Sequence, residues 1–289
     1  MFDRRFDTER VTVDGVAIHL RRGGSGPPLL LLHGYPQSHV MWHRTAPLLA
    51  DRFHLVCADL RGYGDSDKLP TSADHFPYSK RAMAGDMVGV MAKLGFERFF
   101  VAGHDRGARV VHRMALDFPD CLEKACVMDI APTHHMYATV DQRFASAYYH
   151  WFFLIQPYPF PERMIGADPE YYLRHKMAAW SRSSAEFDAR AIAEYLRCFR
   201  DPQTIHASCE DYRAAASIDL RHDEADMDVK VKCPLLVLWG RHGFVHIAYD
   251  VLKVWRERAH NVTGLALDCG HFLPEESPAE VSRALSDFF

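Results

Sequence analysis

In the stretch FVAGHDRGARVVHR, residues 100–113, an acid occupies a turn where the flanking glycines would lead one to expect a serine. An apolar run ends at Gly103, Asp105 follows, and a segment of helical character continues beyond Gly107. Strand, tight glycine-flanked turn and helix make up the nucleophile elbow of the G-x-S-x-G pattern, which lifts one side chain above a sheet and toward helix N-terminal amides. A carboxylate there cannot use the serine mechanism, and its lone pair needs no general base to expose it. It can displace a leaving group from a saturated carbon and become an ester of the enzyme. The plainer alternative is an aspartate capping an ordinary strand-to-helix turn.

An enzyme ester has to be hydrolysed, so a base should follow in the chain. DCGHFLPEESP places His271 after the last apolar run, in the order nucleophile, acid, histidine. The chain has 18 histidines, so position rather than residue type singles this one out. The acid that would orient it is less obvious, because the run PLLVLWG is followed by Arg241, His242 and Gly243, with no carboxylate. Asp129, at the end of ACVMDIAP, is the substitute, and Asp268, just before the histidine, is a weaker rival. In HGYP, residues 33–36, the Tyr35 amide could join the Arg106 amide as an oxyanion hole for the tetrahedral intermediate of ester hydrolysis.

The elements that must position these groups are written as apolar runs. PPLLLLHGYP, FHLVCADLRGYG, RFFVAGHDRG, KACVMDIAP, PLLVLWGRHG and VTGLALDCGHF are near-continuous in apolar residues and lead into Gly, Asp or His, as strands buried on both faces do. With helical spans at residues 79–94 and 106–118 between them, the expectation is an α/β fold: a mostly parallel sheet flanked by helices, with ligands at the carboxyl ends of the strands. ERVTVDGVAIHLRRGG alternates around an Asp-Gly turn and reads as an edge hairpin. The rhythm breaks at residues 133–220, where aromatic, proline, methionine and charged residues crowd without a clear strand. AYYHWFFLIQPYPFPERM and AEFDARAIAEYLRCFRDPQTIHASCEDYRAAAS read there as helices joined by proline turns. This divides the chain into a core, residues 1–132 and 221–289, and a helical cap, residues 133–220, inserted after the sixth strand.

Composition narrows the function classes. The 289 residues are 48% apolar and 25% charged, with a formal charge of −4, so no general attraction to nucleic acid or anionic membranes is expected and affinity for an anion must be local. The arginines beside Asp105 gain interest for that reason. Seven scattered cysteines form no C-x-x-C pair and suggest neither a disulfide framework nor a zinc site. The charged MFDRRFDTERVTVDG has no signal-peptide core, and no apolar run approaches a membrane span. The expectation is a cytoplasmic protein.

HGYPQSHVMWH, ADLRGYGDSDK, GHDRGARVVHRMALDFP, DIAP and GHFLPEESP follow in that order over nearly the whole chain. They resemble the α/β-hydrolases of the haloalkane dehalogenase and epoxide hydrolase group, most closely the fluoroacetate dehalogenase family. The residue after the nucleophile, commonly Trp in the haloalkane and epoxide enzymes, is Arg106 here, which changes the expected substrate. Arg106 and Arg109, one and four positions after Asp105, can turn their guanidinium groups into the cavity and clamp a substrate carboxylate through bidentate hydrogen bonds. A small 2-halo acid fits, with its α-carbon set beside Asp105. In the cap, YHWFF offers His150 and Trp151 and EDYRAAAS offers Tyr212, three donors for a leaving halide, matching the halide-binding His, Trp and Tyr of that family. Each alone reads as an aromatic packing residue.

The resemblance implies a homodimer acting on a haloacid without metal or organic cofactor. Three alternatives stay open: a preference for chloroacetate or bromoacetate, an epoxide hydrolase using paired cap tyrosines, and a catalytically idle receptor for carboxylates.

Overall fold

The computed structural model describes residues 1–182 and 187–289. Eight strands form one sheet: β1 (Phe6–Val13), β2 (Val16–Gly23), β3 (Pro28–Leu32), β4 (His54–Ala58), β5 (Phe99–His104), β6 (Leu122–Met128), β7 (Leu235–Gly240) and β8 (Val262–Leu267). Their spatial order is β1-β2-β4-β3-β5-β6-β7-β8, parallel from β4 through β8 and antiparallel at the β1 and β2 edge. The near-continuous apolar runs are the central strands: Leu29 to Leu32 in β3 and Val101 and Ala102 in β5 have no accessible surface. The edge hairpin alternates instead. It turns through Asp14 and Gly15, both at positive φ, as a two-residue turn between right-twisted strands requires.

The helix Lys80–Lys93 starts where Ser79 accepts the Ala82 N–H. The helix Arg106–Asp117 follows β5 directly and is buried from Arg106 to Ala115. Its charges recur at Arg106, Arg109 and Arg113, the spacing of one helical face, while Ala108, Val111, Met114 and Ala115 fill the core.

Between β6 and β7 the described residues form helices, including Thr133–Ala138, His150–Phe153, Pro169–Trp180, Ala189–Phe199, Pro202–Ala215 and Ile218–Ala225. Asp168 and Asp201 cap two of them, with Pro169 and Pro202 at the first helical position, where a missing N–H removes no helical bond. Of the expected helical stretch starting at Ala185, the first two residues lie outside the described residues. Residue 220 falls inside the helix Ile218–Ala225, which packs on Thr133–Ala138, so the secondary structure runs unbroken across the boundary read from the sequence.

Candidate active site

Asp105 sits at the elbow with φ 46° and ψ −113°, outside the regions an L-residue favours. Such backbone costs about 1–3 kcal/mol and persists only where its surroundings enforce it. They do so through close approach. A Cβ at Gly103 would lie 2.5 Å from the Gly107 carbonyl oxygen, and one at Gly107 would lie 2.5 Å from that of His33. The Gly107 N–H donates to the same His33 oxygen at 2.9 Å, pinning the helix start to the end of β3. Asp105 Oδ2 accepts the Tyr35 N–H at 2.9 Å, which leaves Oδ1 without a hydrogen bond among the described residues.

His271 and Asp129 meet across the top of the sheet, with His271 Nδ1 and Asp129 Oδ2 2.6 Å apart. Asp129 also has a positive φ, 53°, and its Oδ1 accepts the Gly240 N–H at 2.9 Å, so the carboxylate bridges the ends of β6 and β7. Asp268 points elsewhere, exposed and paired with Arg182 and His242. His271 Nε2 is buried with no partner among the described residues. The His271 backbone is held from both sides, its N–H donating to the Trp180 carbonyl at 2.9 Å and its carbonyl lying 2.7 Å from His104 Nε2. Burial holds the His104 ring near a pKa of about 3, so it is neutral and donates that bond.

The electrostatics separate the two acidic and basic partners cleanly. Burial pushes the Asp105 carboxyl up, but His271 and the two guanidinium groups of Arg106 and Arg109 outweigh it, and the group lies below the ordinary range, ionised. Burial pushes His271 down, yet its hydrogen bond to Asp129 and the charges of Asp129 and Asp105 carry it above the ordinary value.

The two arginines are buried beside the elbow, but their forks are not both free. Arg106 Nε donates to Asp211 Oδ2 at 2.8 Å and one terminal nitrogen donates to Oδ1 at 2.7 Å, a bidentate pair that leaves Nη1 buried and unpartnered. Asp211 also receives the Tyr63 hydroxyl at 2.7 Å and the Lys80 ammonium. Arg109 donates to the Ala131 carbonyl at 3.1 Å and Thr133 Oγ1 at 2.9 Å, leaving its Nε unpartnered. Each guanidinium therefore keeps an unused donor rather than a free fork, which amends the bidentate clamp expected from sequence. Arg113 pairs with Asp117 and Asp226.

Aromatic rings close the site from the cap. The Arg106 guanidinium lies 4.1 Å above Tyr212 and that of Arg109 4.8 Å above Trp151. His150 and Trp151 stand edge-on to Tyr212, with centroids 5.6 and 6.4 Å away. The three are buried, and His150 Nδ1 has no partner among the described residues. Burial, reinforced by Lys176, His271 and the two arginines, holds His150 well below its ordinary pKa, so it carries a single N–H. The structure thus gathers Asp105, His271, Asp129, both arginines, Tyr35 and the aromatic trio. Sequence reading missed Asp211, Lys176 and Trp180. Asp211 adjoins Tyr212, but its pairing with Arg106 spans 105 residues and leaves no local pattern.

Fold and elbow together define a class: residues 27–278 match the family model described as alpha/beta hydrolase fold, and the chain belongs to that family. Within it the chain falls in the fluoroacetate dehalogenase family. It is 47% identical over 284 residues to a fluoroacetate dehalogenase of a Burkholderia species, covering 98% of this chain and 93% of that protein. A soluble epoxide hydrolase of Corynebacterium sp. (strain C12) is 34% identical, covering 96% and 95% of the two chains. A solved structure from Nostoc sp PCC 7120, described as an alpha/beta hydrolase, superposes with a TM-score of 0.97 at 58% identity, covering 98% of this chain and 97% of that one.

Proposed function

We propose that the protein hydrolyses the carbon–halogen bond of small 2-halo carboxylic acids, fluoroacetate among them, to the 2-hydroxy acid and halide. The observation that carries the reading is the pairing of an elbow carboxylate with two buried arginines that each retain an unused donor. A neutral haloalkane or epoxide has no use for them.

In this mechanism Arg106 Nη1 and Arg109 Nε receive the substrate carboxylate, and Asp105 displaces halide from the α-carbon with inversion. Oδ1 attacks, because Oδ2 is held by the Tyr35 amide and becomes the ester carbonyl oxygen. Halide departs toward His150, Trp151 and Tyr212, whose neutral N–H and O–H groups solvate a small anion in a dry pocket. His271 Nε2 then takes a proton from water, and the hydroxide attacks the ester carbonyl carbon. The Tyr35 and Arg106 amides stabilise the oxyanion. Collapse releases the hydroxy acid and restores Asp105, with one oxygen from water, and the proton leaves from His271 to solvent. Asp129 keeps the imidazole in the tautomer that exposes Nε2.

The reading includes the division into core and cap and a cytoplasmic homodimer, supported by the family resemblance and by seven cysteines that are all free. The experiment is fluoride and chloride release from fluoroacetate and chloroacetate, wild type beside Asp105→Asn. Halide from the wild type alone is expected. Chloride without fluoride would keep the nucleophile and shift the substrate; no halide from either acid would sink the reading and direct the assay to styrene oxide.

A further inference from the structure

Lys176, in the helix Pro169–Trp180, is only 1% exposed, and its ammonium makes no hydrogen bond or ion pair among the described residues. Three rings surround it instead: the Tyr149 centroid lies 3.5 Å from Nζ, that of Trp180 5.2 Å and that of Tyr172 5.6 Å. Such cation–π contacts return well short of what desolvating an ammonium costs. Burial accordingly draws its pKa down to about 7. If this position served packing alone, a methionine would fill it without that penalty, so what a lysine adds here is charge.

That charge borders a cavity of about 330 Å³ whose walls include Tyr148, Tyr149, Lys176, Trp180, Phe244 and His271. The unpartnered His271 Nε2 belongs to a residue of the same wall. A far larger cavity, about 1310 Å³ beside Arg213 and Glu210, touches none of the proposed reacting groups, and its Arg213 and Glu210 pair with each other. Arg106 is already compensated by Asp211, whereas Lys176 has no counter-charge among the described residues. The cavity is lined by Lys176 and by neither Arg106 nor Arg109, so an anion entering it meets the Lys176 ammonium before the two guanidinium groups.

We infer that Lys176, boxed by Tyr149, Tyr172 and Trp180, forms a second anion subsite in the cavity bordering His271, taking the carboxylate of an incoming 2-halo acid ahead of Arg106 and Arg109. The inference rests on the haloacid reading above. Its ammonium hydrogens replace the water that the carboxylate sheds, and transfer inward exchanges one cation for two donors beside the nucleophile.

The test compares wild type, Lys176→Met and Lys176→Arg. With fluoroacetate at rising ionic strength, Lys176→Met should lose about tenfold in kcat/KM, carried by KM, with a flatter salt dependence, and Lys176→Arg should recover most of it. A second readout needs no turnover: iodide, an anionic quencher, should quench tryptophan fluorescence less in Lys176→Met, while neutral acrylamide quenches both proteins alike. Unchanged kcat/KM and iodide quenching would overturn the subsite, as would a fall in kcat with KM and quenching unmoved. If the wild type released no halide, the haloacid reading would fail while the iodide comparison still decided the subsite.

Discussion

The rim of the sheet and the cap that covers it present the site with opposite chemistry. On the rim, Asp105, Asp129 and His271 are each fixed by directed hydrogen bonds: the Tyr35 N–H to Asp105, the Gly240 N–H to Asp129, and the Trp180 carbonyl and His104 ring to the His271 backbone. On the cap, His150, Trp151 and Tyr212 are neutral and held by ring contacts, and His150 Nδ1 has no partner among the described residues. The rim is built for bond making, which needs atoms aimed within tenths of an ångström. The cap is built to solvate an anion, which needs donors without strong prior partners. Cap residues cross the divide: the Trp180 carbonyl accepts the His271 N–H, and Asp211 holds the rim's Arg106 while its neighbour Tyr212 stacks beneath the same guanidinium.

The largest effect should come from the rim. Asp105→Asn removes the only proposed nucleophile and should lower halide release by about 10⁴-fold or more, read with a halide electrode. His271→Ala should separate the two chemical steps: displacement still occurs once, and an Asp105 ester accumulates as an intact-mass increase, while steady turnover falls about 10²–10⁴-fold. Free turnover in that variant would remove His271 from the base role.

Asp211→Asn strikes the link between the regions. Burial pushes the Asp211 carboxyl up, but Arg106 and Lys80 hold it below the ordinary range, so it is a full charge between two cations. The variant should lose about 3–5 kcal/mol of stability in urea titration, because both cations stay buried without it. Its KM for haloacids should rise more than its kcat falls, since Arg106 is freed to turn from the substrate. An unchanged KM would mean that Asp211 serves the fold alone.

The cap's contribution should be smaller and selective. Tyr212→Phe keeps the ring beneath Arg106 and removes one donor, so chloroacetate turnover should fall modestly and fluoroacetate about tenfold further, because fluoride is the smaller and more strongly hydrated leaving group. Equal losses on both acids would assign the hydroxyl to general packing.

How much of this was legible in the sequence follows the same division. The rim could be read, since each of its residues ends an apolar run and strand ends are where a parallel sheet gathers chemistry. The register that brings Asp129 rather than Asp268 to His271 lies in the strand order, but the missing carboxylate after PLLVLWG already pointed to it. The cap was legible as helical and rich in donors, yet not as a geometry. The Arg106 and Asp211 pair and the aromatic box around Lys176 depend on how helices dock, and helix docking is set by side-chain fit across many residues rather than by any local period. The amended clamp is the consequence: two arginines on one helical face imply two forks until a distant acid occupies one.

The last prediction concerns the charge coupling on the rim and should have the smallest effect. His271 is held above its ordinary pKa partly by the Asp105 charge, which favours the imidazolium more than in a free histidine, and imidazolium is the wrong form for a base. Ester formation removes that same charge, which should lower the His271 pKa just when a base is wanted. Asp105→Asn imitates the neutral ester, and a histidine titration by NMR should place His271 lower in the variant than in the wild type. The stability sign follows. A histidine raised on folding stabilises fully below its unfolded value, about 6.5, and loses that contribution as pH rises through its folded pKa. Asp105 stays ionised across this window, so the His271 share of the wild type's stability relative to the variant should shrink with rising pH. A His271 pKa that stays put or rises in Asp105→Asn would break the coupling, and the base would then need another source of its proton-accepting form.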